Sequence, residues 1–400
     1  MKFIRRLLVL LFLLTALPAP AILAEGGVAV RPYWTFPTAA PVTHVQTGDV
    51  DGNGTPEVVM TTADNWVYVV ENDGDLAWRY ELETQATTLL VADIDGDGQT
   101  AEIWVGGWDR DFLLSATEKP IWRAIHQSYA GLELPALEGF AVDLDGDGQQ
   151  ELLSGNPLSV GVTDSKTSAT RLIDFIRPVI DVWAGEVDGD GRPEIVPSVI
   201  GNLVYVMDSD LSPVWQQAIE GEVRLVQGGD VDGDGLAEIV VLSTSWELFL
   251  WENDGQQVWH NQNLTGLTDL SGLTPPMPGQ LLVHDLNGDG QSEIIVLTPG
   301  AAGIQVFKGD GSQLWQQPLG LVTDQDAPGQ SSEDFLMWKA LESGFQSGLQ
   351  AADINGDGQA EVVVATGDQG PVYLLAANGQ RLVEYLAGKT TGTLAIPTER

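Results

Sequence analysis

The sequence contains no cysteine. A disulfide framework and a lipid-anchored cysteine are therefore excluded. The 400 residues include 13 tryptophans and are 43% hydrophobic, so the chain has enough apolar material for a large core and is not disordered as a whole. A folded chain without disulfides must be held together by packing or by bound metal.

Basic residues are scarce. There are 18 Lys and Arg against 57 Asp and Glu, and the formal net charge is −39. Such a chain repels the phosphates of nucleic acids and the surface of anionic membranes. We therefore expect no nucleic-acid partner.

Recognisable catalytic motifs are also missing. The four histidines, His44, His126, His260 and His284, are isolated in the sequence, and neither H-E-x-x-H nor G-x-S-x-G occurs. No glycine-rich loop suited to phosphate is present. We assign no catalytic and no organic-cofactor residue, and whether the chain is an enzyme stays open.

The N-terminal stretch has the pattern of a secretory signal peptide. Lys2, Arg5 and Arg6 precede the apolar run 7–17, and small residues with prolines follow up to Ala24. We expect cleavage after Ala21 or Ala24, which makes residues 1–24 the signal and 25–400 one domain. The alternative is an uncleaved anchor, although the apolar run is short for a full span. No second membrane span is expected, and the protein is predicted to be secreted, extracellular or periplasmic.

One acidic stretch dominates the rest of the sequence. Between Asp230 and Glu238, acidic residues occupy positions 1, 3, 5 and 9 of a nine-residue segment, with glycines at positions 4 and 6. Oxygen donors on alternate residues of a tight turn can converge on one hard cation, and Ca²⁺ takes six to eight such oxygens. A turn with this many carboxylates has little reason to stay compact unless a cation neutralises it. We therefore predict bound Ca²⁺.

The stretch occurs seven times. Successive copies begin 44, 50, 43, 44, 55 and 68 residues apart. The predicted ligands at positions 1, 3, 5 and 9 are Asp49, Asp51, Asn53 and Glu57; Asp93, Asp95, Asp97 and Glu102; Asp143, Asp145, Asp147 and Glu151; Glu186, Asp188, Asp190 and Glu194; Asp230, Asp232, Asp234 and Glu238; Asp285, Asn287, Asp289 and Glu293; and Asp353, Asn355, Asp357 and Glu361.

A period of about 40 to 50 residues is typical of propellers and repeat arrays. Each unit reads as four short strands, the first two joined by the acidic segment and the last two by an Asn/Asp-Gly turn. The chain is therefore predicted to be all-β, a seven-bladed β-propeller. For closure, residues 28–36 could supply the outer strand of the last blade. Alternatively, residues 28–36 and 393–396 could build a partial eighth blade from both termini.

A tryptophan follows the second turn in most units, at Trp78, Trp122, Trp215, Trp259 and Trp315, and Trp34 precedes the first unit in the same phase. This recurrence predicts packing of a large ring between neighbouring blades. The third unit lacks the tryptophan, and in the seventh residues 383–385 stand in its place. The longest insertions are 127–138, 263–279 and 321–346, and a helix is predicted at 332–343.

The repeated unit resembles the FG-GAP repeat of integrin α-subunit propellers and the VCBS-type repeats of secreted bacterial proteins. The resemblance covers about residues 43–387 and rests on the spacing D-x-[DN]-G-[DN]-G-x-x-E. It implies that the loop joins the first two strands of a blade and binds Ca²⁺ through positions 1, 3, 5 and 9 and the carbonyl at position 7, here Leu236. An EF-hand is less suitable, because its acidic ligand stands at position 12 between helices.

Two copies depart from the pattern. The second has one extra residue before Glu102, which could displace that ligand, and the fourth begins with Glu186, whose longer side chain could misplace its oxygen. Asn53, Asn287 and Asn355 are neutral but still offer an oxygen. We expect the fifth loop to be a good site and the second and fourth to be doubtful.

The function predicted from these features is a secreted, calcium-stabilised propeller that binds an extracellular protein or glycan, as an adhesion module does. The alternative is a carbohydrate-active enzyme, a lyase or hydrolase, on the same scaffold, since carboxylates outside the loops could carry acid–base chemistry. A quinoprotein is a further alternative, because hairpins such as LFLWENDGQQVW resemble the repeats of quinoprotein-like propellers.

Overall fold

A computed structural model describes residues 34–116, 119–125, 138–156, 158–175, 177–261, 264, 280–298, 303–319, 348–365 and 372–385. The predicted signal peptide 1–24, the insertions at 127–137, 265–279 and 321–346, the helix at 332–343 and the segment 393–396 lie outside the described residues. The described part of the chain contains strands and turns but no helix, and hence none that could cross a bilayer.

Twenty-eight strands form seven four-stranded antiparallel sheets. The first strands are β1 (Val42–Gly48), β5 (Ala86–Ala92), β9 (Glu138–Val142), β13 (Val179–Gly185), β17 (Val223–Gly229), β21 (Gln280–His284) and β25 (Gly348–Ala352). The second strands are β2 (Glu57–Thr62), β6 (Glu102–Gly107), β10 (Glu151–Asn156), β14 (Glu194–Val199), β18 (Glu238–Ser243), β22 (Glu293–Thr298) and β26 (Glu361–Ala365). The third strands are β3 (Trp66–Val70), β7 (Arg110–Leu114), β11 (Ser159–Thr163), β15 (Leu203–Met207), β19 (Leu248–Trp251), β23 (Gly303–Phe307) and β27 (Val372–Leu375). The fourth strands are β4 (Leu76–Glu81), β8 (Pro120–Ile125), β12 (Thr170–Asp174), β16 (Pro213–Ala218), β20 (Gln257–Asn261), β24 (Gln313–Gln317) and β28 (Arg381–Tyr385).

The sheets are the blades of a seven-bladed β-propeller, as the repeat predicts. In each blade the strands pair in chain order, and the first strands of successive blades contact one another, so they lie at the centre. The second strands are apolar on both faces and buried, because each face packs on a neighbouring blade. The fourth strands expose alternate residues at the rim.

The hydrophobic core lies between the blades. Val59 and Val69 of the first blade pack with Val105 and Phe112 of the second in one buried cluster, and clusters of the same kind join later blades. Blade-to-blade contact therefore supplies most of the burial of these short strands.

Antiparallel order places the connections on two opposite faces. The acidic loop between the first and second strands and the turn between the third and fourth strands lie at the same edge of each blade. We call this edge, taken over all seven blades, the loop face. The connections between blades leave from the opposite face, and this is where the long insertions enter the chain.

The described sheet of the seventh blade is completed by its own repeat. Its outer strand is β28, and residues 34–36 form no strand, while residues 28–33 of the segment considered for closure lie outside the described residues. The described residues form seven sheets, and the segments invoked for a partial eighth blade lie mostly outside them. Trp34 nevertheless reaches the first blade, where its indole Nε1 donates a 2.7 Å hydrogen bond to the carbonyl of Asn72.

Candidate metal centres in the first loop of each blade

All seven acidic segments form the loop between the first and second strand of a blade, and each second strand begins at the last glutamate of its loop. The apolar β-branched run after the glutamate enters the buried middle of the blade, which fixes that glutamate at the edge of the core. The apolar residue at position 2 of most loops is also buried, as Val50 and Val231 are, whereas the carboxylates at positions 3 and 5 are exposed. Each loop therefore combines exposed acidic groups with one glutamate that is buried, or half-buried in the case of Glu151.

The first carboxylate holds the turn together. In the fifth loop, Asp230 Oδ1 accepts a 2.6 Å hydrogen bond from the amide of Gly233, and its Oδ2 accepts a 2.9 Å bond from Gly235. Gly235 has φ +92°, which an L side chain rarely adopts, so the glycine permits the sharp bend. The same carboxylate bridges the turn in the loops that begin at Asp49, Asp93, Asp143, Asp285 and Asp353.

The carboxylates at positions 3 and 5 close shorter turns. Asp232 Oδ1 accepts from the amide of Asp234 at 3.0 Å, and Asp234 Oδ1 accepts from Leu236 at 2.9 Å. These local bonds orient one oxygen of each carboxylate along the backbone. The three aspartates of this loop bring oxygens within 4.8 Å of one another.

The glutamate at position 9 is the buried member. Glu238 is 1% exposed, and its Oε2 accepts a 2.9 Å hydrogen bond from the amide of Val231, while its Oε1 has no hydrogen-bond partner. Glu57 in the first loop has the same burial and the same unpartnered Oε1. Burial, with the neighbouring carboxylates, raises the pKa of Glu57, Glu194 and Glu238 to about 7.

In each of five loops the structure brings three of the four expected ligands together: position 5 is outside the group in loops one, two and four, and position 9 is outside it in loops three and five. Groups of carboxylates with oxygens within 4.8 Å of one another include Asp49, Asp51 and Glu57; Asp93, Asp95 and Glu102; Asp143, Asp145 and Asp147; Glu186, Asp188 and Glu194; and Asp230, Asp232 and Asp234. Every donor is a hard oxygen, and the orphaned Oε1 atoms of Glu57 and Glu238 are buried acceptors that a cation would satisfy. The residues present therefore fit Ca²⁺.

The extra residue of the second loop does not displace its glutamate. Glu102 is buried and accepts from the amide of Ile94 at 3.0 Å, as the other glutamates do. The additional length is absorbed near Asp97, whose Oδ1 accepts from the amides of both Gln99 and Thr100. In the fourth loop, Glu186 Oε1 takes the place of the aspartate oxygen and accepts from Gly189 at 2.6 Å. The second loop is thus close to the common pattern, and the fourth keeps the bond to Gly189 without the second bond that the first carboxylate accepts in the other loops.

Loops six and seven differ in another way. The Nδ2 of Asn287 donates a 2.7 Å hydrogen bond to Glu293 Oε1, and Asn355 donates in the same way to Glu361 Oε1. The amide therefore supplies the partner that the glutamate lacks in loops one and five. To offer its oxygen to a cation, each asparagine would have to rotate its amide by half a turn.

Neighbouring loops are joined by backbone hydrogen bonds that sequence reasoning missed. The residue before the last glutamate donates to a carbonyl at the start of the preceding loop: Ala237 to Glu186 at 2.9 Å, and Ser292 to Asp230 at 2.7 Å. Ala101, Gln150 and Ala360 do the same. Proline occupies this position in loops one and four, as Pro56 and Pro193, where no N–H exists. In the sequence, only the presence or absence of proline before the last glutamate indicates whether such a bond between loops can form.

The tryptophans also connect blades, as predicted, and the structure adds how. The indole Nε1 of Trp259 donates to Gly309 O at 2.7 Å, and that of Trp315 donates to Ala377 O at 2.8 Å, each in the second turn of the next blade. In the third blade Arg171 stands in the tryptophan position, opposite Val162, and its Nη2 donates to Ser209 O at 3.2 Å.

The histidines of the described residues occupy packed positions. His44 lies in β1 beside Thr43 and Thr61, with Nδ1 2.9 Å from Thr61 Oγ1. His260 stacks on Phe249 with ring centroids 4.1 Å apart. Burial lowers the pKa of His284.

Comparisons with known families find the repeat by sequence. The family model described as an FG-GAP-like repeat matches residues 49–105, and that of the FG-GAP repeat matches residues 345–375. No curated protein sequence matches this chain.

Several solved propellers share the architecture. BamB from Moraxella catarrhalis is 13% identical, with a TM-score of 0.53 over 96% of this chain and 96% of its own. An Agrocybe aegerita lectin, described as recognising non-reducing terminal N-acetylglucosamine, is 14% identical, with a TM-score of 0.52 over 86% of this chain and 94% of its own. BBS1N, crystallised in complex with ARL6DN, is 10% identical, with a TM-score of 0.51 over 87% of this chain and 93% of its own. At these identities the likeness concerns the fold alone.

Proposed function

The chain is an FG-GAP repeat protein, and we propose that it is a secreted, calcium-binding β-propeller that binds an extracellular protein or glycan. In this proposal Ca²⁺ is structural and occupies the acidic loops of the blades. Binding of the partner is the function that the ordered scaffold serves. Secretion rests on the signal-like pattern of residues 1–24.

The observation that carries the calcium part is the pair of orphaned oxygens. Glu57 Oε1 and Glu238 Oε1 are buried without a hydrogen-bond partner. Glu57 groups with Asp49 and Asp51, and the charges of Asp232, Asp234 and Glu252 act on Glu238. An unpaired buried charge costs several kcal/mol, on the order of the penalty for breaking a buried ion pair. A divalent cation among these oxygens removes the cost, and positions 1, 3, 5 and 9 supply the ligands.

Bound Ca²⁺ would act on the whole loop face. Each loop hydrogen-bonds a neighbour through backbone groups, as Ala237 does with Glu186 and Ser292 with Asp230. A cation that fixes one loop therefore also limits the movement of the loop beside it. The expected result is a rigid propeller whose negative charge is partly neutralised.

The binding part is supported by the scaffold. Propellers with the same architecture include one crystallised with a protein, ARL6DN, and one described as recognising a terminal N-acetylglucosamine. A rigid disc with loops on two faces suits a module that presents a surface to a partner. The long insertions enter on the face opposite the loop face, and we propose that they contribute to partner choice.

The calcium part is tested by thermal unfolding of the full chain in excess chelator and in millimolar Ca²⁺. We expect Ca²⁺ to raise Tm by many degrees, because a ligand that binds only the native state adds stability by mass action. Glu238→Gln should reduce the rise, whereas Asp254→Asn, an exposed turn residue of the same blade, should leave it nearly intact. Equal Tm values with and without Ca²⁺ would refute the calcium part.

The binding part needs a separate measurement. The protein, loaded with Ca²⁺, is applied to a glycan microarray that includes terminal N-acetylglucosamine and to a panel of purified extracellular matrix proteins. We expect saturable binding to one class, lost when chelator unfolds the loops. Absence of saturable binding to both sets would overturn the binding module, while the Tm measurement would stand by itself.

A further inference from the structure

The residue that faces each loop glutamate across the second and third strands differs between blades. In the first blade Val58 pairs with Val70, so the next pair along the two strands is Glu57 with Glu71. In the fifth blade Ile239 pairs with Trp251, which places Glu252 opposite Glu238. Directly opposite residues lie about 4.5–5.5 Å apart, and like charges there destabilise a sheet. Blades one and five thus carry two glutamates side by side.

The other blades do not repeat this pairing. The same registers, continued by one residue, place a series of different residues opposite the last glutamate in blades two, three, four, six and seven: Ser115, Asp164, Asp208, Lys308 and Ala376, respectively. The residue opposite the last glutamate therefore ranges from a second glutamate, in blades one and five, to a lysine, in blade six. The charge next to the buried carboxylate therefore varies by two units around the propeller.

The two glutamate pairs coincide with the orphaned oxygens. Glu57 and Glu238 are each 1% exposed, and their Oε1 atoms have no hydrogen-bond partner. The facing Glu71 is half-buried, and its pKa is raised by burial and by the carboxylates of Asp51, Asp73 and Asp75. The pKa of Glu252 is raised in the same manner, by burial and by Asp232, Asp234 and Asp254. In these two blades a buried carboxyl group thus faces a second carboxyl group.

Blades six and seven are arranged in the opposite sense. Glu293 Oε1 and Glu361 Oε1 each accept a 2.7 Å hydrogen bond from an asparagine of the same loop. Lys308 adds positive charge opposite Glu293, and Ala376 adds none opposite Glu361. The glutamate oxygens of these two loops already have hydrogen-bond partners, so a bound cation would stabilise them less.

The shorter acids opposite loops three and four are engaged in their own turns. Asp164 Oδ1 accepts from the amides of Lys166 at 3.0 Å and Thr167 at 2.8 Å, and these bonds lower its pKa. Asp208 Oδ1 accepts from Ser209 Oγ at 3.0 Å. An aspartate bound in this way contributes charge but does not extend toward the loop as a glutamate can. Loops three and four are therefore intermediate.

We propose that the residue facing the loop glutamate grades calcium affinity around the propeller, so that the loops of blades one and five fill first and those of blades six and seven last. Glu71 and Glu252 are then affinity-determining residues outside the nine-residue motif. This inference rests on the calcium part of the proposed function. It adds an order of filling, which the motif by itself does not give.

The first experiment is calorimetric titration of the chelator-stripped full chain with Ca²⁺, comparing wild type with Glu71→Gln/Glu252→Gln. We expect the tightest class of sites to weaken by roughly tenfold, from loss of one nearby charge per site. In chelator the same variant should unfold at a higher Tm than wild type, because the repulsion between paired glutamates is gone. Asp64→Asn, which removes an exposed carboxylate from the turn between β2 and β3 on the face opposite the acidic loops, serves as the control, with less than threefold change expected. An unchanged tight class would overturn the inference.

The second experiment adds a negative charge opposite a loop glutamate, and we expect it to strengthen Ca²⁺ binding there. Lys308 is exposed, so Lys308→Glu should fold normally, and it should move the loop of blade six from the weak class to a tighter one. An unaltered weak class would contradict the proposal even if the glutamine variant failed to fold. A wild-type chain that releases no heat and shows no Tm shift with Ca²⁺ would instead refute the calcium part itself, a result distinct from uniform affinities.

Discussion

The indole Nε1 of Trp215 in the fourth blade donates a 2.9 Å hydrogen bond to the carbonyl oxygen of Asn253 in the fifth. The ring also lies against Gly255, where a Cβ would approach Trp215 Cδ2 to 3.0 Å. One side chain therefore fastens the rim of two blades through a polar and a steric contact. The same relationship joins Trp34 to Asn72 and Gly74, Trp259 to Gly309 and Gly311, and Trp315 to Ala377 and Gly379.

Removing only the N–H of this contact should have a measurable cost. Trp215→Phe keeps an aromatic ring but leaves the carbonyl of Asn253 without this donor, and we expect a loss of about 1 kcal/mol in the free energy of unfolding. Part of the loss comes from the smaller ring. Urea unfolding in excess Ca²⁺ measures it. Trp108→Phe, in the turn between β6 and β7, controls for the ring size, and an equal loss there would count against the hydrogen bond.

Arg171 shows why the third blade departs from the tryptophan pattern. The turn it faces contains Leu211, with φ +71°, at the position where the turns of blades one, five, six and seven have glycine. In the fifth blade, a Cβ at Gly255 would lie 3.0 Å from the ring of Trp215, so a tryptophan at position 171 would contact the Cβ of Leu211 in the same way. The flexible guanidinium of Arg171 instead passes Leu211 and donates to Ser209 O.

The Arg171–Leu211 pair therefore predicts a coupled substitution. Arg171→Trp by itself should destabilise the protein, because the ring and Leu211 compete for space. Combined with Leu211→Gly, it should recover the tryptophan–glycine contact and relieve the positive φ, for a coupling energy of about 1–2 kcal/mol in a double-mutant cycle. The cycle is measured by urea unfolding. Additive effects of the two changes would show that the sites do not share this contact.

The sequence predicts much of this architecture and misses its connections. The spacing of Asp230 to Glu238 predicts the loop, and the apolar run after Trp66 predicts a strand that is observed as Trp66–Val70. Periodic signals of this kind are local. That Arg171 replaces a tryptophan, or that Glu71 faces Glu57, depends on the register between strands, which no single segment specifies. The contact of Trp34 with Asn72 and Gly74 likewise joins residues that are distant in the sequence.

The metal-free protein should lose stability as pH rises. The pKa values of Glu57, Glu194 and Glu238 are raised to about 7 in the folded chain, above the ordinary value of 4.5. A raised folded-state pKa means that the folded chain holds these protons more tightly than the unfolded chain does. Their contribution is present below pH 4.5 and is lost as pH rises through about 7.

Thermal unfolding in chelator from pH 5 to 8 measures this dependence. We expect Tm to fall over that range, with a shallower slope for Glu238→Gln, which cannot ionise at this position. Saturating Ca²⁺ should remove most of the slope, because the cation stabilises the carboxylates. A wild-type Tm that rises with pH in chelator would contradict the burial of these glutamates as acids.

The backbone bonds between loops provide the last prediction. Ala237 donates its amide to Glu186 O, whereas Pro193 occupies the equivalent position of the preceding loop without a donor. Because two loops already accept proline there, Ala237→Pro should fold, with a loss of about 1 kcal/mol from the missing hydrogen bond. Pro193→Ala, which supplies an N–H, is the reverse control. If these bonds fix the loops relative to one another, Ala237→Pro should weaken Ca²⁺ binding at both the fourth and fifth loops by roughly two- to fivefold. Calorimetric titration with Ca²⁺ measures it, and a loss confined to stability, with both affinities intact, would show that each loop orders its ligands without help from its neighbour.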